Sequence, residues 1–379
     1  MTRRRNTKDC EFLTALFLRW LIWAMVIVVS AQVAGAASYE SSGQNFTMIP
    51  LVNFSSDDGT GYGLRVSLFE YDGVSRPYRK TYSAQAFFTT KGKWVHRFYM
   101  DMPHLRPGHR VEIEALYEKE DFANYYGGLS ESVLDTYTKA QKTFQQNHPK
   151  LRVMWIRDLR LPWRLRTEFR MGRNRIRPNA TAGSILSDLA PPGADGATLF
   201  HTTVALQYDT RDDYVNSTKG VFEEFLVEYG LGSGFSGGKM TYEHRHFFSP
   251  VPVFTLAHRL HVGLTFGDVP FYEAFPLGGS SVLRGAPAAR WRDSGRILLN
   301  GELRWRGLIL SDQYNIRLGM LAFGDVGQVF NRSEVPSTDD WHVGAGAGLR
   351  FYWHSTVLRA DYGISGKNRG IYLTFSHVF

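Results

Sequence analysis

Twelve histidines are spread along the 379 residues, and two pairs stand close enough in sequence to do chemistry together. His244 and His246 have the i, i+2 spacing that puts two imidazoles on one face of an extended strand; His258 and His261 do not. Imidazole binds metals and shuttles protons, so either pair raises the question of metal or protease chemistry. The companions of such chemistry are missing. No His-Glu-x-x-His occurs, and no serine or aspartate is tied to these histidines by a motif. Cys10 is the single cysteine and lies in the N-terminal segment read below as removed. That excludes a Cys-ligated zinc site, a catalytic thiol and a disulfide framework. Arg164, Arg166, Arg170, Arg304 and Arg317 form a second set, able to attract anions. Glu168, Glu302 and Asp325 share their faces, so a lumen of compensating charge is the preferred reading. No catalytic residue, no metal and no cofactor is expected, and the chain is not expected to be an enzyme.

The elements that carry these residues alternate with a period of two. Trp163, Leu165, Phe169 and Met171 oppose Arg164, Arg166, Glu168 and Arg170. Val343, Ala345, Ala347, Leu349 and Phe351 oppose His342, Gly344, Gly346, Gly348 and Arg350. Ile371, Leu373, Phe375 and Phe379 share one face of the last segment. Alternation alone also suits a soluble sandwich, but segments of about ten residues with aromatic ends suit strands that cross a bilayer at a tilt. Strands are expected near 46–56, 60–70, 78–89, 93–102, 109–117, 150–158, 162–173, 198–209, 219–231, 237–247, 252–267, 296–306, 315–326, 341–352, 356–365 and 370–379. Sixteen is even, as single-chain bacterial barrels require. The long connections, 118–149, 174–197, 268–295 and 327–340, all follow odd strands, and a helix is expected over 130–147. The expected fold is therefore all-β, a 16-stranded antiparallel transmembrane barrel with long extracellular loops and short periplasmic turns.

Composition agrees. Aromatic residues reach 14% and glycine 37, and beyond residue 37 no apolar run is long enough for a spanning helix. The balance of 44 basic to 36 acidic residues contains no block of like charge, so no nucleic-acid partner is expected. Arg3, Arg4, Arg5 and Lys8 precede an apolar core at 21–29 and the small residues Ala34-Gly35-Ala36, the layout of a secretory signal peptide spanning 1–36. An uncleaved anchor helix from Phe12 is the alternative, and Arg19 interrupts it. The barrel is expected over 37–379.

Leu206-Gln207-Tyr208-Asp209-Thr210-Arg211-Asp212, followed by Gly220, resembles the Y-D-T-R-D…G turn of the BamA/TamA superfamily, the bacterial surface antigen barrels. Gly278-Gly279-Ser280-Ser281-Val282-Leu283-Arg284-Gly285 resembles their sixth-loop motif, G-G-x-x-x-V-R-G followed by an aromatic. Gly301-Glu302-Leu303-Arg304 and Phe323-Gly324-Asp325-Val326-Gly327 resemble the next two strands. Two departures stand out. Ala286 replaces the aromatic after Arg-Gly, and about ten residues separate Ala37 from the first expected strand, too few for the POTRA domains that normally precede the family's barrel. The resemblance implies a loop lock inside the lumen, with Arg284, beside Gly285, paired to Asp325 and Glu302 near Phe323. It also implies a periplasmic turn built on Asp209, Arg211, Asp212 and Gly220, and a C-terminal targeting signal in Phe375 and Phe379 on the lipid face. The implied role is insertion or translocation of proteins at the outer membrane of a Gram-negative-type bacterium. Partners would be outer-membrane lipid, unfolded outer-membrane or secreted proteins, and a separate periplasmic factor. A passive structural or pore-forming barrel and a lipid or envelope role stay open.

Overall fold

Residues with β-branched and aromatic side chains at every second position pair with neighbours of the same pattern. The computed structural model describes residues 42–311, 313, 316–353 and 356–379, so the expected leader lies outside the described residues. The first five strands are β1 (Ser42–Ser55), β2 (Gly59–Asp72), β3 (Lys80–Thr89), β4 (Lys93–Arg106) and β5 (His109–Asn124). Then follow β6 (Thr143–Asp158), β7 (Trp163–Pro178), β8 (Gly196–Asp209), β9 (Gly220–Gly232), β10 (Phe235–Val251) and β11 (Phe254–Asp268). A short hairpin of β12 (Phe275–Leu277) and β13 (Trp291–Asp293) interrupts the series. The last five are β14 (Gly295–Ser311), β15 (Ile316–Phe330), β16 (His342–Trp353), β17 (Thr356–Ser365) and β18 (Asn368–Phe375).

All strands except β12 and β13 close into one antiparallel barrel of sixteen, with β18 returning to β1. Each of the sixteen expected segments overlaps one of these strands. The expected helix over 130–147 shrinks to α1 (Glu131–Leu134) and a 3-10 turn at Ala140–Lys142. From Thr143 the chain is already strand, because Gln146, Asn147 and His148 find partners at Glu120, Lys119 and Glu118 of β5. Pairing with an adjacent strand satisfies the backbone where a short amphipathic helix had nothing to pack on.

The two faces sort as the alternation requires. Phe169, Phe225 and Leu349 point outward and are about half exposed, while Asp101, Arg304 and Arg350 point inward and are buried. The interior is charged but compensated. Arg166 pairs with Glu224 at 3.0 Å, Arg170 with Glu228 at 3.1 Å, and Lys239 with Glu273 at 3.2 Å. Glu273 belongs to the connection between β11 and β14, which therefore dips into the lumen. Arg317 lies exposed at the rim of short turns and takes no part in this network. One rim of the barrel carries the long connections 125–142, 179–195, 269–294 and 331–341 together with four short turns; at the other rim no connection exceeds the ten residues of 210–219.

An outward apolar belt of this kind tolerates charge poorly. Replacing Leu349, mid-strand on the outer face of β16, by arginine should cost about 2–4 kcal/mol near a bilayer midplane. Urea-induced unfolding from lipid vesicles measures it, and a loss below about 1 kcal/mol would mean that this face does not meet lipid.

Candidate functional site

The connection between β11 and β14 is folded around an apolar knot. Leu277, Leu283, Ala286 and Leu298 are all but fully buried against one another. Ala286, the departure noted in the sequence, is buried in this knot. Arg292 anchors the same connection by donating to the carbonyls of Tyr272 and Phe271 at 3.2 and 3.3 Å, and burial lowers its pKa to about 10.

The knot holds Arg284 inside the barrel with no exposed surface. Its Nε and Nη2 donate to Asp325 Oδ2 and Oδ1, both at 2.8 Å, and its main-chain N–H reaches Oδ2 at 3.0 Å. Its Nη1 donates to Glu302 Oε1 at 2.6 Å. The guanidinium lies 3.5 Å from the centre of the Phe323 ring. Burial alone would lower its pKa, but Asp325, then Glu302 and Asp361, outweigh that and raise it above its ordinary value. Sequence reasoning named Arg284, Gly285, Glu302, Phe323 and Asp325; the structure brings all five together. It missed Asn300, whose amide donates to Asp325 at 2.8 Å and to the Val282 carbonyl at 2.8 Å. It also missed Asp361, which accepts from Arg350 at 2.5 Å and lies 3.7 Å from Arg284. The strand parity of Asp361 was the available signal. Arg304 pairs with Glu302 at 2.8 Å and leaves Asp325 to Arg284.

Main chain meets main chain at this point. Gly285 has φ +96°, and a Cβ there would come within 2.6 Å of the Ile364 backbone. A Cβ on Gly344 would stand 2.3 Å from the Arg284 carbonyl. The Gly285 N–H donates to Tyr372 Oη of β18 at 3.1 Å, and the Ala288 N–H donates to Asp57 of the β1–β2 turn at 3.0 Å. Burial pushes the Asp57 carboxyl up, and that N–H offsets part of the shift. The connection thus touches both sides of the β1–β18 seam.

That seam is short. Only Phe54↔Leu373 and Ser55↔Tyr372 are in register, extended by Ser56 N–H donating to the Ile371 carbonyl at 3.0 Å. Toward β2, all fourteen residues of β1 have partners. Ser42–Asn53 are therefore paired on one side only. Alternation from Ser56 aims the main-chain groups of Phe46, Met48 and Val52 at the open side, where Pro50 brings no N–H at all.

Pairing with β1 ends at Leu373, although β18 stays paired to β17 as far as Phe375. Sequence parity put Phe379 on the lipid face, and the structure corrects this. Ser376 takes φ +69°, which breaks the alternation and turns the chain inward. Phe379 is buried in the lumen against Phe247 and Ala257, and Arg304 donates to its main-chain oxygen at 3.2 Å. His377 follows it in and meets Asn216 at 3.2 Å. Phe375 stays outward.

The second sequence motif is spent on its own turn between β8 and β9. Arg211 grips Asp209 with two bonds of 2.9 Å. Asp212 accepts from the N–H and hydroxyl of Thr218 at 2.8 and 2.5 Å and from the Lys219 N–H at 3.2 Å; burial opposes them, but these bonds hold the carboxyl below its usual range. Gly220, φ +100°, lets the returning strand pass the Thr210 carbonyl.

The Omp85 superfamily domain matches residues 58–377. The chain belongs to the Omp85 superfamily. Among solved structures, its Omp85 barrel resembles BamA from Haemophilus ducreyi lacking POTRA domains 1–3, with a TM-score of 0.61 at 14% identity, over 89% of this chain and 70% of that one. It also resembles CdiB from Escherichia coli, with a TM-score of 0.61 at 12% identity, over 86% of this chain and 62% of that one. CdiB from Acinetobacter baumannii follows at 0.51 and 12%, over 89% and 66%. At such identities the likeness is one of fold, and the chain spans less than two thirds of either CdiB. No curated protein matches it.

The lock predicts a non-additive pair. Arg284→Ala and Asp325→Ala should each cost about 3–5 kcal/mol, because each strands a buried charge. The double variant should cost little more than either single one. Equilibrium unfolding of the three proteins measures it, and simple additivity would mean that the two side chains are not coupled.

Proposed function

We propose that this Omp85 barrel inserts or translocates proteins at the outer membrane, with its long loops outside and its short turns toward the periplasm. Members of the superfamily are transporters or insertases. The observation that carries the reading is the seam. Twelve residues of β1, Ser42–Asn53, offer an unpaired edge, which is a template for an incoming extended segment. A passive pore has no use for such an edge, and this lumen is crossed by a locked connection. Substrates would be unfolded outer-membrane or secreted chains, each adding its strand at the open edge. A separate periplasmic partner would deliver them. Phe375 is the outward aromatic left to carry a C-terminal assembly signal, since Phe379 is turned away from lipid.

The test locks the seam at its paired end, so that β18 cannot part from β1 to make room for an incoming strand. Phe54→Cys with Leu373→Cys places cysteines at register partners, a spacing antiparallel strands offer to a disulfide. In proteoliposomes the reduced protein should speed integration of a urea-denatured β-barrel substrate several-fold over empty vesicles, read by protease protection. Oxidation should abolish that gain, and dithiothreitol should restore it. Equal rates in empty and loaded vesicles would contradict the proposal.

A further inference from the structure

The lipid-facing wall carries a polar cluster that neither the lock nor the seam uses. His244 and His246 of β10, His258 of β11 and Glu223 of β9 all face outward, set among Phe225, Tyr242, Leu256 and Leu260. Register explains the meeting: His246 lies opposite His258, and His244 opposite Glu223. The ring centres are 5.2 Å apart for His246 and His258, 5.4 Å for His244 and His258, and 6.5 Å for His244 and His246. Sequence spacing had paired His258 with His261. His261 instead turns into the lumen, where Arg296 Nη2 lies 3.2 Å from its Nε2.

Imidazole and carboxylate on an outer wall are costly unless they have an occupation. The cluster lies close to the short turn between β10 and β11, one outward step from Phe248. Trp163 and Tyr208 continue the transverse row of Glu223 and His244, and their rings meet edge-on at 5.0 Å. Aromatic residues in such a row mark the membrane–water boundary, which ions in water can reach.

We propose that His244, His246 and His258 form a three-imidazole site for a divalent transition-metal ion, with zinc as its occupant. Two imidazoles bound to one tetrahedral zinc at about 2.0–2.1 Å have ring centres about 5 Å apart. Two of the three separations already fit, and the third closes by about 1 Å through side-chain rotation. Among the described residues no group of three or more His, Cys, Asp or Glu already stands in position to hold a metal ion, so binding here requires the three rings to turn toward one another. Glu223 Oε1 lies 3.2 Å from His244 Nδ1, which leaves Nε2 for the metal and fixes the ring as carboxylate partners of ligating histidines do. The fourth position faces the boundary, where water or an interfacial oxygen anion completes it.

The experiment is a zinc titration of untagged protein in detergent micelles, followed by calorimetry and, with cobalt as spectroscopic substitute, by visible absorption. The expected result is one saturable site with tetrahedral cobalt bands. His246→Ala with His258→Ala should abolish both signals, and Glu223→Gln should weaken binding about tenfold. His342→Ala, on the opposite rim, should change neither. Heat-modifiable migration confirms that each variant is a closed barrel, as expected for outward-facing substitutions. Absence of saturable zinc binding in the native protein, or binding that survives the double substitution, would overturn the proposal.

Discussion

A guanidinium without water needs an acceptor for nearly every N–H it carries, and the arrangement of this barrel follows from meeting that need for Arg284. Its bonds to Asp325 and Glu302 draw on β14 and β15, its backbone lies against β16 and β17, and its neighbour Gly285 holds Tyr372 of β18. One buried residue therefore ties five consecutive strands to a single connection. The geometry admits no substitute: lysine lacks the planar fork that serves two carboxylates at once, and a side chain at Gly285 or Gly344 would collide with main chain.

The same connection explains why the seam opens at one end. At the long-loop rim, Ala288 holds Asp57 while Gly285 holds Tyr372, so both sides of the seam are clasped. At the short-turn rim there is no clasp. Arg304, two residues beyond Glu302 on the same inward face, takes the main-chain oxygen of Phe379 and helps keep the end of the chain inside the lumen. What remains for β1 is an edge held by β2 alone. A barrel sealed equally around its circumference would have no preferred place to admit a new strand; this one has a single short pairing between β1 and β18.

Period-two alternation made the architecture legible before any coordinates, because burial of one face and exposure of the other leaves a mark at every residue. Arg284, Glu302 and Asp325 were legible through motif and parity together. Asn300 and Asp361 were not singled out, since parity says which way a side chain points but not which ones converge across the lumen. Phe379 was misplaced because one left-handed residue, Ser376, resets the count. The helix over 130–147 failed for the opposite reason: local periodicity suggested it, and pairing with β5 overrode it. The grouping of His258 with His244 and His246 depended on cross-strand register, which spacing along one chain does not contain.

The central claim is that Ser42–Asn53 of β1 are hydrogen-bonded on one side only. Residue-resolved amide hydrogen exchange of the micelle-embedded protein tests it directly. The amides of Phe46, Met48 and Val52 should exchange rapidly, while those of Thr47, Ile49 and Leu51, which face β2, should be protected as strongly as amides within β2 and β3. Equal, slow exchange at all six positions would mean a zipped seam and would contradict the account.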